Sequence, residues 1–219
     1  MRFSNLFALS VVLTAALLSA CGTERQGNTP RASQQGPQLL KRIATEPSVL
    51  SVTPDLIAPD CTQQFEGELI KRQFSRSYTC TSVERLTNTV GIHISAKEAG
   101  DFFDKRWSTA DAANEVIAGN LALRPARQDS LKVVEVTDPG AKIGAPQERL
   151  FCASFTDHSG AIKATELWGT FRYENATVEY TAYTEREPEC ANAPKLQAMA
   201  RALAAAQLTR IKSAPLVNQ

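Results

Sequence analysis

The feature that most constrains this chain is a β-patterned stretch running from Arg149 to Thr184. In Arg149–Asp157, Phe151, Ala153 and Phe155 occupy alternate positions, the period of a strand with one buried face. Asp157-His158-Ser159-Gly160 supplies the residue types of a tight turn. Ala161–Tyr173 and Thr177–Thr184 are again β-rich, and Glu174-Asn175-Ala176 between them reads as a hairpin loop. Three strands with short connections form an antiparallel meander, whose apolar face must be covered. After a loop over Glu185–Pro194, a helix from about Lys195 to Ile211 offers that cover, with Leu196, Met199, Ala200, Leu203 and Ile211 on one side.

The pattern upstream is mixed. Strands are expected around Phe65–Ile70 and Ser77–Thr81, and Thr89–Ser95 alternates clearly, with Val90, Ile92 and Ile94 on one face and His93 on the other. Ser95-Ala96-Lys97-Glu98 has the form of a capping box, and Ala99, Phe102, Phe103, Arg106 and Trp107 follow at helical spacing. A second helix starts at Ala110, with Ala113, Val116 and Ile117 in phase and Gly119 as its expected stop. Arg124–Ser130 reads as loop, Leu131–Val136 as strand, and Asp138-Pro139-Gly140 as turn. The fold class is therefore α+β: an antiparallel sheet, ending in the three-stranded meander, packed with one or two middle helices and a C-terminal helix. One globular domain is expected over residues 60–212, with a tail at 213–219. Before it, residues 39–59 are expected as a connector, with a short helix over Leu39–Ala44 and an extended stretch from Pro47 to Pro59.

The N-terminus is organised differently. Arg2 precedes an apolar run from Leu6 to Leu18, which is interrupted by Ser10 and Thr14 and followed by Ser19 and Ala20. The run is shorter than the roughly 20 apolar residues needed to span a bilayer and suits the core of a signal peptide. Leu18-Ser19-Ala20-Cys21 resembles the lipobox of bacterial lipoproteins at all four positions. That resemblance covers the first two dozen residues. It implies cleavage after residue 20, a lipid-modified Cys21, and a bilayer as partner through the acyl chains. It also implies attachment in the cell envelope, on the outer face of the plasma membrane or, in a Gram-negative cell, on the outer membrane, because Gly22 is not the aspartate of inner-membrane retention. Residues 21–38 hold almost no large apolar side chain and read as a flexible tether, its 17 or so residues after Cys21 spanning roughly 20–25 Å.

Export bears on the other cysteines. Cys61, Cys80, Cys152 and Cys190 form an even set without CxxC or CxxH spacing, which favours two disulfides over a metal site. Three pairings exist. Cys61–Cys80 and Cys152–Cys190 are favoured because each joins segments able to be neighbours. Removing residues 1–20 takes away one arginine and leaves 23 basic against 23 acidic residues, a balance that argues against nucleic acid as a partner.

No catalytic constellation is legible. His158 sits between Asp157 and Ser159, but successive turn residues point apart, and a triad needs its members to converge. Glu166, Glu179, Glu185 and Glu187 have spacings any exposed strand shows. No phosphate-binding, dinucleotide, zinc-protease or calcium motif occurs, and no cofactor or metal is expected. Trp168, Phe171, Tyr173, Tyr180 and Tyr183 crowd two adjacent strands, where cross-strand packing is the ordinary explanation. A ligand or partner surface involving Trp168, Tyr180 and Tyr183 is the alternative. The expectation is a non-catalytic domain that binds a protein or small molecule. The competing readings are an envelope hydrolase whose site is assembled from distant residues, and a structural accessory subunit. The element order is also similar, at the level of fold alone, to the sensor-domain lipoproteins of mycobacteria and to sandwiches of the PsbP/Mog1 type.

Lipidation has a simple genetic consequence. Cys21→Ala should leave full-length precursor, visible as a slower band on immunoblots, and a processed band identical to that of the unmodified chain would contradict the lipobox.

Overall fold

The computed structural model describes residues 41–121, 126–138, 140, 142–157, 160, 163–187, 189–190 and 193–218. The signal segment, Cys21, the tether and His158 lie outside the described residues. The first elements are β1 (Lys41–Ile43), α1 (Pro47–Leu50), β2 (Thr62–Ile70), β3 (Gln73–Thr79) and β4 (Arg85–Ile92). Two helices follow, α2 (Ala96–Trp107) and α3 (Ala110–Leu121), then β5 (Ala126–Glu135) and β6 (Gln147–Asp157). The chain continues through β7 (Lys163–Tyr173), β8 (Ala176–Thr184), α4 (Pro194–Lys212) and β9 (Leu216–Asn218).

The fold is α+β, and the meander β6–β7–β8 forms as expected, but within a larger sheet. Seven antiparallel strands run in the order β2-β3-β4-β8-β7-β6-β5, and β1 pairs separately with β9. Alternation builds two cores on the two faces. Leu167 and Phe171 of β7, Val178, Tyr180 and Ala182 of β8, and Leu86 and Val90 of β4 pack with α4. Trp168, Ala164, Phe151, Ala153 and Phe155 face the other way and pack with Phe103, Trp107, Ile117 and Leu121 of α2 and α3. Within the first core the Tyr180 ring lies across Gly169, where an added Cβ would sit 2.0 Å from its Cζ. Only glycine fits beneath that ring.

The structure departs from the sequence reading at several places. β5 begins at Ala126, inside the stretch read as loop, and its pairing with β6 shifts register between Arg127 and Lys132. It is an edge strand, where backbone pairing does not require apolar alternation. α3 continues through Gly119 because Leu121 is buried beyond it, which outweighs the roughly 1 kcal/mol that glycine costs in a helix. Lys41–Ile43 is a strand, not a helix, since the Asn175 side chain takes both backbone groups of Ile43. It accepts from the Ile43 N–H at 2.7 Å and donates to the Ile43 carbonyl at 3.1 Å.

The core also begins before Asp60. Ile43, Leu50 and Val52 are buried, and polar side chains hold this segment down. Gln207, fully buried on α4, accepts from the Val52 N–H at 3.1 Å and from Asn88 Nδ2 at 2.6 Å, and donates to the Leu50 carbonyl at 2.7 Å. Arg76 donates to the carbonyls of Ser51 and Val52, and the Tyr78 hydroxyl donates to Val52 at 2.7 Å. Burial pushes the Tyr78 pKa up to about 12, so the hydroxyl remains a donor. Both favoured disulfides are present. Cys61–Cys80 closes the base of the β2–β3 hairpin, and Cys152–Cys190 ties β6 to the loop before α4. With sequence separations of 19 and 38, the chain-entropy model gives about 3 and about 4 kcal/mol.

Gln207→Leu keeps the volume of the side chain but strands a buried N–H, a carbonyl and an amide. The variant should lose about 3–5 kcal/mol in urea unfolding with an unchanged slope. A loss below about 1 kcal/mol would show that water can replace the amide.

Candidate functional site

Two clefts stand out among the described residues, at opposite ends of the β2–β3 hairpin. The cleft beside Cys61–Cys80 has a volume near 500 Å³ and is lined by Asp60, Thr81, Ser82, Arg186, Glu187 and Lys195. Three of its four charged side chains, Asp60, Arg186 and Glu187, already serve the fold. Asp60 accepts from the Thr81 N–H, Arg186 donates to the Thr81 carbonyl and pairs with Glu84, and Glu187 accepts from the N–H groups of Lys195 and Leu196 where α4 starts.

The second cleft, of about 420 Å³, lies between α2 and the β3–β4 pair. Phe102 forms its wall on the helix side, Ile70 its wall on the hairpin side, and Gly91 its floor. Local sequence explains this construction. Ser95 caps α2 by accepting from the Glu98 N–H at 3.1 Å, and the Glu98 carboxylate takes the Ile94 N–H at 2.7 Å, so the predicted capping box sets where the helix begins. Ala99, Phe103 and Trp107 turn into the core, which leaves Phe102 and Arg106 at its margin. Arg106 and the Trp107 indole both bind Glu179 of β8, anchoring the far end of α2 to the sheet. Opposite, the hairpin turns at Lys71-Arg72, with Arg72 in the left-handed region at φ 69°.

His93 sits where these elements meet. Its backbone N–H donates to the Asn175 carbonyl, its ring packs 5.1 Å from Phe102, and its Nε2 lies 2.9 Å from Thr177 Oγ1. The alternation over Thr89–Ser95 put His93 mid-strand, opposite Val90, Ile92 and Ile94; it lies one residue beyond the end of β4, against Phe102 of α2. Burial lowers the pKa of its imidazole, against a smaller opposing pull from Glu98, and the ring is neutral at pH 7. Gly91 makes room for the contact, because a Cβ there would stand 2.9 Å from Thr177 Oγ1. A hydroxyl and an imidazole at this distance have the spacing of a nucleophile and its base. Thr177, however, is 3% exposed, so a substrate carbonyl cannot reach its oxygen.

The aromatic surface fares differently. Trp168 is 7% exposed and Tyr180 2%, on opposite faces of the sheet, so they form no common patch and belong to the two cores. Tyr183 is half-buried, lies beneath the Arg85 guanidinium, and donates to Glu185 at 2.7 Å. The four carboxylates on or near the meander are held separately: Glu166 within 3.7 Å of Arg85, Glu179 by Arg106 and Trp107, Glu185 by Tyr183, and Glu187 at α4. Among the described residues no group of three or more His, Cys, Asp or Glu side chains could hold a metal ion, and no helix is long and apolar enough to cross a membrane. Ile70 and Arg72 had no signature in the sequence. Gly91 did have one, as a glycine interrupting the alternation of β4.

The site defined in this way is an apolar-walled groove at the margin of an α+β sheet, the form of a binding cleft. No family model matches the chain, and no curated protein does. Among solved structures it is similar to the extracellular domain of PknH from Mycobacterium tuberculosis. The TM-score is 0.42 at 12% identity, over 73% of this chain and 96% of that one. The groove is accordingly read from this chain's own residues.

The state of His93 can be measured. Because folding lowers its pKa, below about pH 6.5 the unfolded chain binds a proton that the folded chain resists. Stability should therefore fall as pH drops through that window, and His93→Gln should flatten this slope with His158 untouched. Identical pH profiles for both proteins would contradict a half-buried, neutral His93.

Proposed function

We propose that this chain is a lipid-anchored protein of the bacterial cell envelope whose domain binds a ligand in the groove between α2 and β4, without covalent chemistry. The groove carries the reading. Its volume lies within the range usual for small-molecule sites, and it sets the apolar side chains of Ile70, Ile92 and Phe102 among the charged groups of Lys71, Arg72, Glu98, Asp101 and Lys105. The Leu18-Ser19-Ala20-Cys21 sequence supports the anchor, and two disulfides support life in an oxidising compartment. The occupant is a small molecule or an apolar side chain of a protein partner. The hydrolase reading has one observation in its favour, the contact between His93 and Thr177.

The two readings separate with simple probes. Anilinonaphthalene sulfonate should fluoresce on binding the unmodified domain, and Phe102→Ala should weaken that binding while the circular dichroism spectrum is retained. His93→Gln should bind the dye nearly as well. Turnover of p-nitrophenyl acetate by the unmodified protein, abolished in a folded His93→Gln variant, would overturn the binder and establish the hydrolase.

A further inference from the structure

Nine large hydrophobic side chains are exposed among the described residues, and five of them gather at one end of the sheet. Leu69 (54%) and Ile70 (63%) finish β2, and Ile94 (56%) lies just beyond β4. Antiparallel order places these two strand ends beside the β7–β8 turn, where Asn175 clips Ile43 of β1. Leu216 and Val217 of β9 pair with Ile43 and Arg42, which brings them to the same end. A small cleft lined by Arg42, Ile43, Arg72, Ile92 and His93 joins β1 to the hairpin turn.

This is also where the chain arrives from Cys21. About 20 residues separate Cys21 from Lys41, and a chain of the tether composition expected above would reach roughly 25 Å. The exposed side chains of Lys41, Lys71, Arg72 and Lys212 surround the apolar group. Their stems can lie along apolar surface while their charges stay at phosphate level. Two nearby exposed carboxylates accept local backbone hydrogen bonds, Glu68 from the Arg72 N–H and Glu98 from the Ile94 N–H.

We propose that this end of the domain rests on the phospholipid bilayer, with Leu69, Ile70 and Ile94 at headgroup depth, so that the lipid on Cys21 and the domain surface engage the same membrane. The proposal rests on the anchoring of Cys21. Apolar contact drives it, consistent with a chain of balanced charge. The mouth of the groove, rimmed by Ile70, Lys71 and Arg72, then opens beside the bilayer surface.

Tryptophan reporters in the full lipidated chain test this. Ile70→Trp, Ile94→Trp and, as a control, Leu56→Trp replace exposed side chains. Leu56 precedes the start of β2, and the strand carries Ile70 roughly 26 Å from that start. Each protein is reconstituted in phosphatidylcholine–phosphatidylglycerol vesicles with brominated acyl chains and compared with the same lipids unbrominated. Native Trp107 and Trp168 are buried, and the unmodified chain supplies their background. Flotation with the vesicles and loss of fluorescence at Ile70→Trp and Ile94→Trp, but not at Leu56→Trp, is the expected result. Flotation with no loss at Ile70→Trp and Ile94→Trp, or with equal loss at all three, overturns the docking while leaving the anchor intact. Failure to float removes the anchor and this proposal with it.

Discussion

The arrangement depends on two buried amides that act as substitute backbone. Gln207 satisfies the Val52 N–H and the Leu50 carbonyl, which have no strand or helix partner there, and Asn175 does the same for both groups of Ile43. An irregular segment can enter a core only if its peptide groups are paired. These side chains meet that condition. Asn175 also donates to the His93 carbonyl at 2.8 Å, so the residue that fixes β1 fixes one corner of the groove as well.

The groove itself follows from unequal cover of the sheet. On one face α2 and α3 pack over β8, β7, β6 and β5, and α2 stops where Arg106 and Trp107 grip Glu179. The β2–β3 hairpin extends past that cover, and nearly every residue of β2 is exposed. The space between the helix margin and the hairpin is the cleft. Its shape is therefore a consequence of helix length and strand count. The Cys61–Cys80 bridge keeps the overhanging hairpin closed at its far end, which limits how freely the groove wall can move.

Much of this was legible in the sequence wherever one physical rule acted alone. Strict alternation in β6 predicted one buried face for Phe151, Ala153 and Phe155, and the spacing of Ser95 and Glu98 predicted the start of α2. Even cysteine count and chain proximity favoured the correct bridges. The failures occur where a distant side chain overrides local preference. Nothing in the local sequence shows that Asn175 will hold Lys41–Ile43 as a strand. Asn88 between Leu86 and Val90, and Gln207 among Leu203, Leu208 and Ile211, were polar interruptions of apolar faces, and such interruptions mark buried networks. The aromatic cluster reads first as packing, and the two adjacent strands divide its side chains between two cores.

The proposed attachment to a membrane through Cys21 would account together for the two disulfides and for the apolar rim beside the groove. Mass spectrometry of the N-terminal peptide, from protein extracted from its own membranes, tests that claim most directly. The account predicts a mature chain beginning at Cys21 and carrying acyl chains on that residue. An unmodified N-terminus at any other position, or a retained signal segment, would contradict it.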